Sequence, residues 1–172
     1  MATRSASPTA RAGGRWRGAG SDGQASGISS PAWQPPPRNA AADFVPLVWA
    51  ADYESGNPLI DAQHRKLFED INQLLGAVLA VSSANDVSAL IDAVMHSAAQ
   101  HFKDEEAIIA AVGFPDAEGH AALHHNFLDQ AADLVNRFRS GTLPLGELFR
   151  FLTKDVVEHI TVSDRTFYSY LV

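Results

Sequence analysis

Histidines and carboxylates recur in this chain at spacings that suit metal binding. On a helix, residues four positions apart share one face, so two such side chains can hold a single ion. Three closely spaced pairs occur: His101 with Glu105, His120 with His124, and His159 with Asp164, the last pair being five apart. Because the chain has no cysteine, any metal site must use imidazole and carboxylate ligands, which suit iron, manganese or zinc.

His64 adds a fifth histidine to this set. A single buried histidine is usually a core residue with its own hydrogen-bond partner, but five on facing helices would each need such a partner. Five histidines and two carboxylates are too many ligands for one ion and the right number for two. If both carboxylates and an oxo or hydroxo group bridge the ions, His120, His124 and His159 complete one octahedron. The ion held by His64 and His101 would then keep a vacancy for a small molecule.

The elements that must position these residues are helices. Apolar residues and the five histidines recur at spacings of three and four, the pattern of amphipathic helices, and no segment alternates as a strand does. Asn57 and Pro58 form a helix start, and small polar residues at 82–86 predict the first turn. Further helices are predicted at about 86–112, 116–139 and 144–160, and the apolar stripe of the first of these is predicted to end with Ile108 and Val112. The predicted fold is therefore all-α, an antiparallel up-and-down four-helix bundle.

The first 43 residues differ in composition from the rest of the 172-residue chain. They hold six Gly, six Ser and five Pro, and their net charge is +3, whereas residues 44–172 carry −10. We therefore expect a disordered N-terminal tail over 1–43, with an organelle transit peptide as a less favoured interpretation, and a folded domain over 44–172. The acidic domain disfavours nucleic acid and anionic membranes as partners, no apolar run could span a bilayer, and we expect a cytoplasmic protein.

Four sequence motifs resemble those of the hemerythrins, most closely the bacterial ones. They are IDAQHRKLF (60–68), HFKDEE (101–106), HAALHHNF (120–127) and HITVSD (159–164). The resemblance covers about 44–172 and implies a non-haem di-iron centre that binds O2 reversibly. It also implies the ligands: His64, His101, His120, His124 and His159, with Glu105 and Asp164 bridging the two irons.

Other positions of the hemerythrin pattern carry no direct metal role. Asp61, Gln63 and Trp49 match the pattern around the first ligand. Bacterial members often have tryptophan four residues before the last histidine ligand, where this chain has Asp155. Asp155 could edge the ligand pocket or face water, and the sequence favours water slightly.

Three functions remain open from the sequence. The first, which the sequence favours, is O2 binding for storage, delivery or sensing, without catalysis. The second is an enzyme on the same site that reduces peroxide or oxidises a small substrate. The third is a regulatory bundle stabilised by its metal. Protein partners and oligomeric state are undetermined. Among the remaining polar residues, Asp104 and Glu106 are expected on a solvated face, and His96 and His125 outside the metal cluster.

Overall fold

The computed structural model describes residues 45–80 and 82–171, and within them it contains helices and no strands. The predicted disordered tail at 1–43 lies outside the described residues. Three long α-helices come first: α1 at Pro58–Leu79, α2 at Ala84–Ala111 and α3 at Ala117–Arg139. A fourth helix follows over residues 145–166. The prediction of an all-α bundle of four helices is confirmed.

The helix ends follow local capping chemistry. The Asn57 side chain accepts from the backbone N–H groups of Leu59 and Ile60, and Pro58 occupies the first turn as predicted. Ser83 caps α2, so that helix begins at Ala84, inside the segment predicted as a turn at 82–86. Both α2 and α3 end on a glycine with positive φ, Gly113 and Gly141. At these glycines the chain closes each helix with the paired backbone hydrogen bonds of a Schellman motif.

The fourth helix changes its hydrogen bonding along its length. It is α-helical over Leu145–Arg150 and Val156–Glu158, π-helical over Phe151–Asp155 and His159–Ser163, and 3-10 over Asp164–Thr166. The junction residues keep right-handed helical angles, so the backbone continues in one direction. The helix therefore runs past the predicted end at 160 and reaches Asp164. Isolated π turns inside helices are frequent at functional sites.

Neighbouring helices run antiparallel. Along α1 and α2, Gln63 contacts Asp104 while Asp70 contacts Ser97, so the partner number falls as the residue number rises. The same reversal relates α3 to the fourth helix, in which His124 meets His159 and Arg137 meets Glu147. With connections of only a few residues between them, the helices form an up-and-down bundle.

The core consists of two apolar clusters on either side of the polar residues. The larger one runs along the bundle through residues such as Phe68, Leu74, Leu134 and Leu152. The smaller one comprises Ile60, Ile109 and Phe167. The predicted apolar stripe of α2 is wrong at its C-terminal end, because Ile109 is fully buried while Ile108 is only half-buried and Val112 is exposed. The C-terminal residues Tyr168 and Leu171, which follow the fourth helix, pack against the small cluster.

The segment before α1 docks on the bundle. The backbone of Leu47 exchanges two hydrogen bonds of 2.8 Å with the side-chain amide of Asn72. Trp49 packs edge-on against Phe68 at 5.6 Å between ring centroids, and Asp61 accepts hydrogen bonds from Ser55. Asp61 thus holds the turn that leads into the first helix. In the part of the chain described, no helix is both long and apolar enough to cross a bilayer.

Candidate metal centre

All seven predicted ligand residues converge on one buried site. None exposes more than 8% of its surface. Their donor atoms form two overlapping groups, each with its atoms within 4.8 Å of one another. One group contains Glu105, His120, His124, His159 and Asp164; the other contains His64, His101, Glu105 and Asp164. The division is the one that the sequence suggested for a two-ion site.

Glu105 and Asp164 belong to both groups because each directs one oxygen to either side. Glu105 Oε1 lies 2.8 Å from His120 Nε2 and 3.2 Å from His124 Nε2, whereas its Oε2 lies 3.5 Å from His101 Nε2. Asp164 Oδ1 lies 3.1 Å from His159 Nε2, whereas its Oδ2 lies 3.3 Å from the Nε2 atom of His64. This geometry is what two bridging carboxylates require.

In His101 and His124 the Nε2 atom faces the site while another group engages the opposite ring nitrogen, Nδ1. His124 Nδ1 lies 2.9 Å from Glu106 Oε1, and an ionised carboxylate can accept a hydrogen bond but cannot donate one. His101 Nδ1 lies 3.2 Å from the side-chain oxygen of Gln63. In both rings the proton therefore belongs on Nδ1, which leaves the Nε2 lone pair free for a metal.

These contacts correct the prediction for Asp104 and Glu106. The sequence places both on a solvated face, but Glu106 contacts His124, one of the predicted ligands, and Asp104 accepts a 2.7 Å hydrogen bond from Gln63 Nε2. Sequence analysis missed them because their partners lie on α3 and α1, which no local spacing within α2 reveals. His96 and His125 are exposed and lie outside the cluster, as predicted.

Burial and mutual proximity perturb the pKa values of the cluster. Burial, reinforced by the neighbouring His64, lowers the pKa of His101 to about 4. Burial also opposes charge on His120, but pairing with Asp164 and Glu105 outweighs it and raises the pKa of His120 to about 9. Desolvation works against ionising the two carboxyls, yet their histidine partners hold the pKa of Glu105 below its usual range and that of Asp164 well below. The cluster therefore holds anionic carboxylates among histidines, a charge pattern that favours cations.

The protein alone does not satisfy the polar atoms of the cluster. Glu105 Oε2 and both oxygens of Asp164 are buried and accept no well-formed hydrogen bond from the described residues. Leaving such groups unpaired inside a protein costs free energy. Metal ions would satisfy them, and a set of five imidazoles and two carboxylates suits first-row metals such as iron. The residues present fit a two-ion centre.

Apolar side chains surround the cluster and isolate it from water. Phe102 stacks on His124 with ring centroids 3.9 Å apart, and Phe167 meets His120 edge-on at 5.2 Å. An apolar cavity of about 50 Å³ adjoins the site, and both His101 and His159 contribute to its wall. Asp155 is not among the lining residues of this cavity.

Comparison with known proteins identifies the family. A family model described as the hemerythrin HHE cation binding domain matches residues 55–171, about two thirds of the chain. The chain belongs to the hemerythrin family. A bacteriohemerythrin from Stenotrophomonas maltophilia (strain R551-3) is 31% identical over 121 residues, covering 70% of this chain and 78% of the relative. A hemerythrin-like protein from Naegleria gruberi is 34% identical over 119 residues, covering 69% and 88%.

Solved structures agree with the hemerythrin assignment. A crystal structure of wild-type hemerythrin superposes with a TM-score of 0.66 at 25% sequence identity, covering 74% of this chain and 98% of the other. The alignment extends over nearly the whole of that hemerythrin. The bundle described above is therefore the hemerythrin fold, and the resemblance read from the four sequence motifs is confirmed.

Two further positions of the hemerythrin pattern have structural roles beside the cluster. The centroid of the Trp49 ring lies 6.1 Å from that of His64. The guanidinium of Arg65 lies over the same Trp49 ring, 5.0 Å from its centroid. Asp155, which stands where bacterial hemerythrins often have tryptophan, accepts a 2.8 Å ion-pair hydrogen bond from Arg150 and is half-buried. This partner supports the interpretation that Asp155 faces the surface and not the pocket.

Proposed function

We propose that this hemerythrin holds two iron ions and binds O2 reversibly, for storage, delivery or sensing, without catalysing a reaction. The observation that carries the proposal is the division of oxygens in Glu105 and Asp164. Each carboxylate turns one oxygen to the three-histidine group and the other to the two-histidine group. A carboxylate so placed can join two ions, whereas a single ion would leave one oxygen of each without a partner.

The proposed ligands are the seven residues of the cluster. His120, His124 and His159 would hold one iron and His64 and His101 the other, with Glu105, Asp164 and an oxo or hydroxo group between them. Two ferrous ions, when bound, would supply the electrons with which dioxygen is held reversibly. The two-histidine group offers one protein ligand fewer than the three-histidine group, and this supports binding of a small molecule there.

The apolar surroundings support a neutral, small ligand. Phe102, Phe167 and the walls of the adjoining cavity keep bulk water away from the imidazoles. A low-polarity environment of this kind admits a diatomic gas more readily than ions or sugars. Nearly all the cavity-lining residues are aliphatic or aromatic, so the chain offers few groups there that could orient a polar substrate.

The balance of ligands also favours O2 binding over oxidative catalysis. Carboxylate-rich di-iron proteins use mainly glutamate with Glu-x-x-His pairs, whereas five of the seven residues here are histidines. A peroxide-reducing or oxidase enzyme on the same cluster is the alternative. Turnover of hydrogen peroxide by the iron-loaded protein would favour that alternative.

Iron analysis combined with optical spectroscopy tests the proposal. Full-length protein is reconstituted anaerobically with ferrous iron, and its spectrum is recorded before exposure to air, after it, and after removal of O2. We expect close to two irons per chain and a new absorption band that appears with O2 and disappears without it. A plateau at one iron per chain, or a band that never reverses, would contradict the proposal.

A further inference from the structure

The two histidine groups of the centre have different partners on their outer sides. In the three-histidine group, His124 Nδ1 contacts the Glu106 carboxylate at 2.9 Å. In the two-histidine group, His101 Nδ1 contacts the neutral amide of Gln63 at the longer distance of 3.2 Å. The second histidine of that group, His64, has a buried Nδ1 atom with no hydrogen-bond partner in the described part of the chain.

The network around Gln63 fixes which end of its amide meets His101. Gln63 Nε2 lies 2.7 Å from Asp104 Oδ2, which also receives a hydrogen bond from Gln100. Because a carboxylate accepts and does not donate, the amide nitrogen must face Asp104 and the amide oxygen must face His101. The charged Asp104 carboxylate therefore contacts Gln63 and not the His101 ring itself. On the other side of the centre, the charge of Glu106 touches the ring directly.

The ring of His124 is also the better held of the two. Its plane is stacked on Phe102 with an interplanar angle of 12°, and the Glu106 contact fixes rotation about the remaining axis. The side chain of Glu106 is about one-third exposed, at 34%, so its carboxylate keeps contact with water while it accepts a hydrogen bond from His124 Nδ1–H. Partners of this kind orient a ligand histidine and raise its basicity.

We propose that Glu106 is a positioning residue that makes the two metal sites unequal: the three-histidine site binds its ion first and retains it longest, and the His64–His101 site is the exchangeable one. This inference rests on the proposed two-ion centre. A carboxylate accepts a stronger hydrogen bond from Nδ1–H than an amide oxygen does. The Nε2 lone pair of His124 is therefore a stronger metal donor than that of His101. The three-histidine site also has one more histidine, and Glu106 adds to that difference from outside the ligand set.

Metal titration of the full-length protein tests this inference. Metal-free protein is titrated anaerobically with Co²⁺ against a competing chelator, and the two binding steps are followed by absorption. We expect Glu106→Ala to weaken the first step about 10–100-fold and Glu106→Gln to lie between, since the amide accepts the same hydrogen bond without the charge. Gln63→Ala should weaken the second step alone.

A matched control and an independent readout separate positioning from general damage. Glu158→Gln removes one charge from an exposed residue beside His159 and should change neither step. The melting midpoint of metal-free Glu106→Gln should equal that of the wild type. In zinc-loaded protein, NMR should detect a protected His124 Nδ1 proton in the wild type and lose it in Glu106→Ala.

The outcomes distinguish this inference from the proposed function. Equal weakening of both steps by Glu106→Ala, or weakening of the first step by Gln63→Ala, would overturn the inference while two ions still bind. A wild-type protein that takes up a single Co²⁺ ion would overturn the two-ion centre itself, and the inference with it.

Discussion

His159 and Asp164 lie on one π-helical turn, in which the backbone N–H of Asp164 bonds to the carbonyl oxygen of His159. Their side chains meet at 3.1 Å between Nε2 and Oδ1. An α-helix brings residues four apart onto one face, whereas the wider π turn does so for residues five apart. The π turn therefore explains how a five-residue spacing delivers two ligands to one site.

Lengthening this turn should remove Asp164 from the centre. Insertion of one alanine after Val162, which is 60% exposed, moves the carboxylate to six positions after His159, a spacing that neither an α turn nor a π turn brings onto one face. The carboxylate would then be rotated by about 100° around the helix. We expect iron content to fall below two per chain, measured by metal analysis after reconstitution. Val162→Ala keeps the spacing and should keep both irons; full retention by the insertion variant would show that Asp164 is dispensable.

His120 and His125 form a matched pair of positions on α3. His120→Ala removes a buried partner of Glu105 and Asp164, whereas His125→Ala alters an exposed ring. Loss of one member of a buried charged set destabilises on the order of 3 kcal/mol, so His120→Ala should lose iron and unfold at lower denaturant. His125→Ala should do neither. Equal damage from both substitutions would mean that the face of α3 has been assigned wrongly.

Metal affinity should depend on pH through His120. With its pKa raised to about 9 by Asp164 and Glu105, the metal-free ring carries a proton at neutral pH that an incoming ion must displace. Apparent affinity for Co²⁺ should therefore rise about tenfold per pH unit between roughly pH 6.5 and 8.5. Chelator competition at several pH values measures this slope. An affinity independent of pH over that interval would contradict it.

The proton on His120 opposes metal binding, but it stabilises the metal-free fold. The pKa of His120 lies above its ordinary value of 6.5, so its stabilising contribution is complete below pH 6.5 and is lost as the pH rises through about 9. We expect the difference in unfolding free energy between metal-free wild type and His120→Ala to shrink over that interval. Denaturant unfolding of both proteins at pH 6.5 and 9.5 measures it, and a constant difference would be the contrary result.

Asp155 should have little influence on the centre. Its partner is Arg150 near the surface, and such pairs contribute about 0–1 kcal/mol. Asp155→Asn should keep both irons, the O2-dependent spectrum and its lifetime in air. A change in that lifetime at unchanged iron content would mean that the carboxylate acts on the pocket after all.

The N-terminal 43 residues should be dispensable for the centre. The hemerythrin model begins at residue 55, and the segment before α1 is anchored by contacts of Leu47, Trp49 and Ser55 with the bundle. Removing residues 1–43 should leave iron content and melting midpoint unchanged. A large loss of either would indicate that the removed residues contribute to the folded domain.

Much of the fold could be predicted from the sequence because helix formation and capping are local. The cap of Asn57 and the terminal glycines Gly113 and Gly141 lie where the sequence predicts helix ends. The errors arose where local preferences compete. Ser83 caps α2 within the segment read as a turn, and Ile109 replaces Ile108 in the core because the stripe of a long helix drifts relative to its neighbours.

The sequence by itself determined which residues could ligate a metal, since residue type and spacing along one helix decide which side chains share a face. It did not determine which residues of neighbouring helices lie opposite one another. Only the tertiary structure turned the two oxygens of Glu105 toward different histidine groups, and only it brought Glu106 to His124 and Gln63 to His101. These contacts join residues on different helices, and their geometry depends on side-chain packing across the whole bundle, which no single helix encodes.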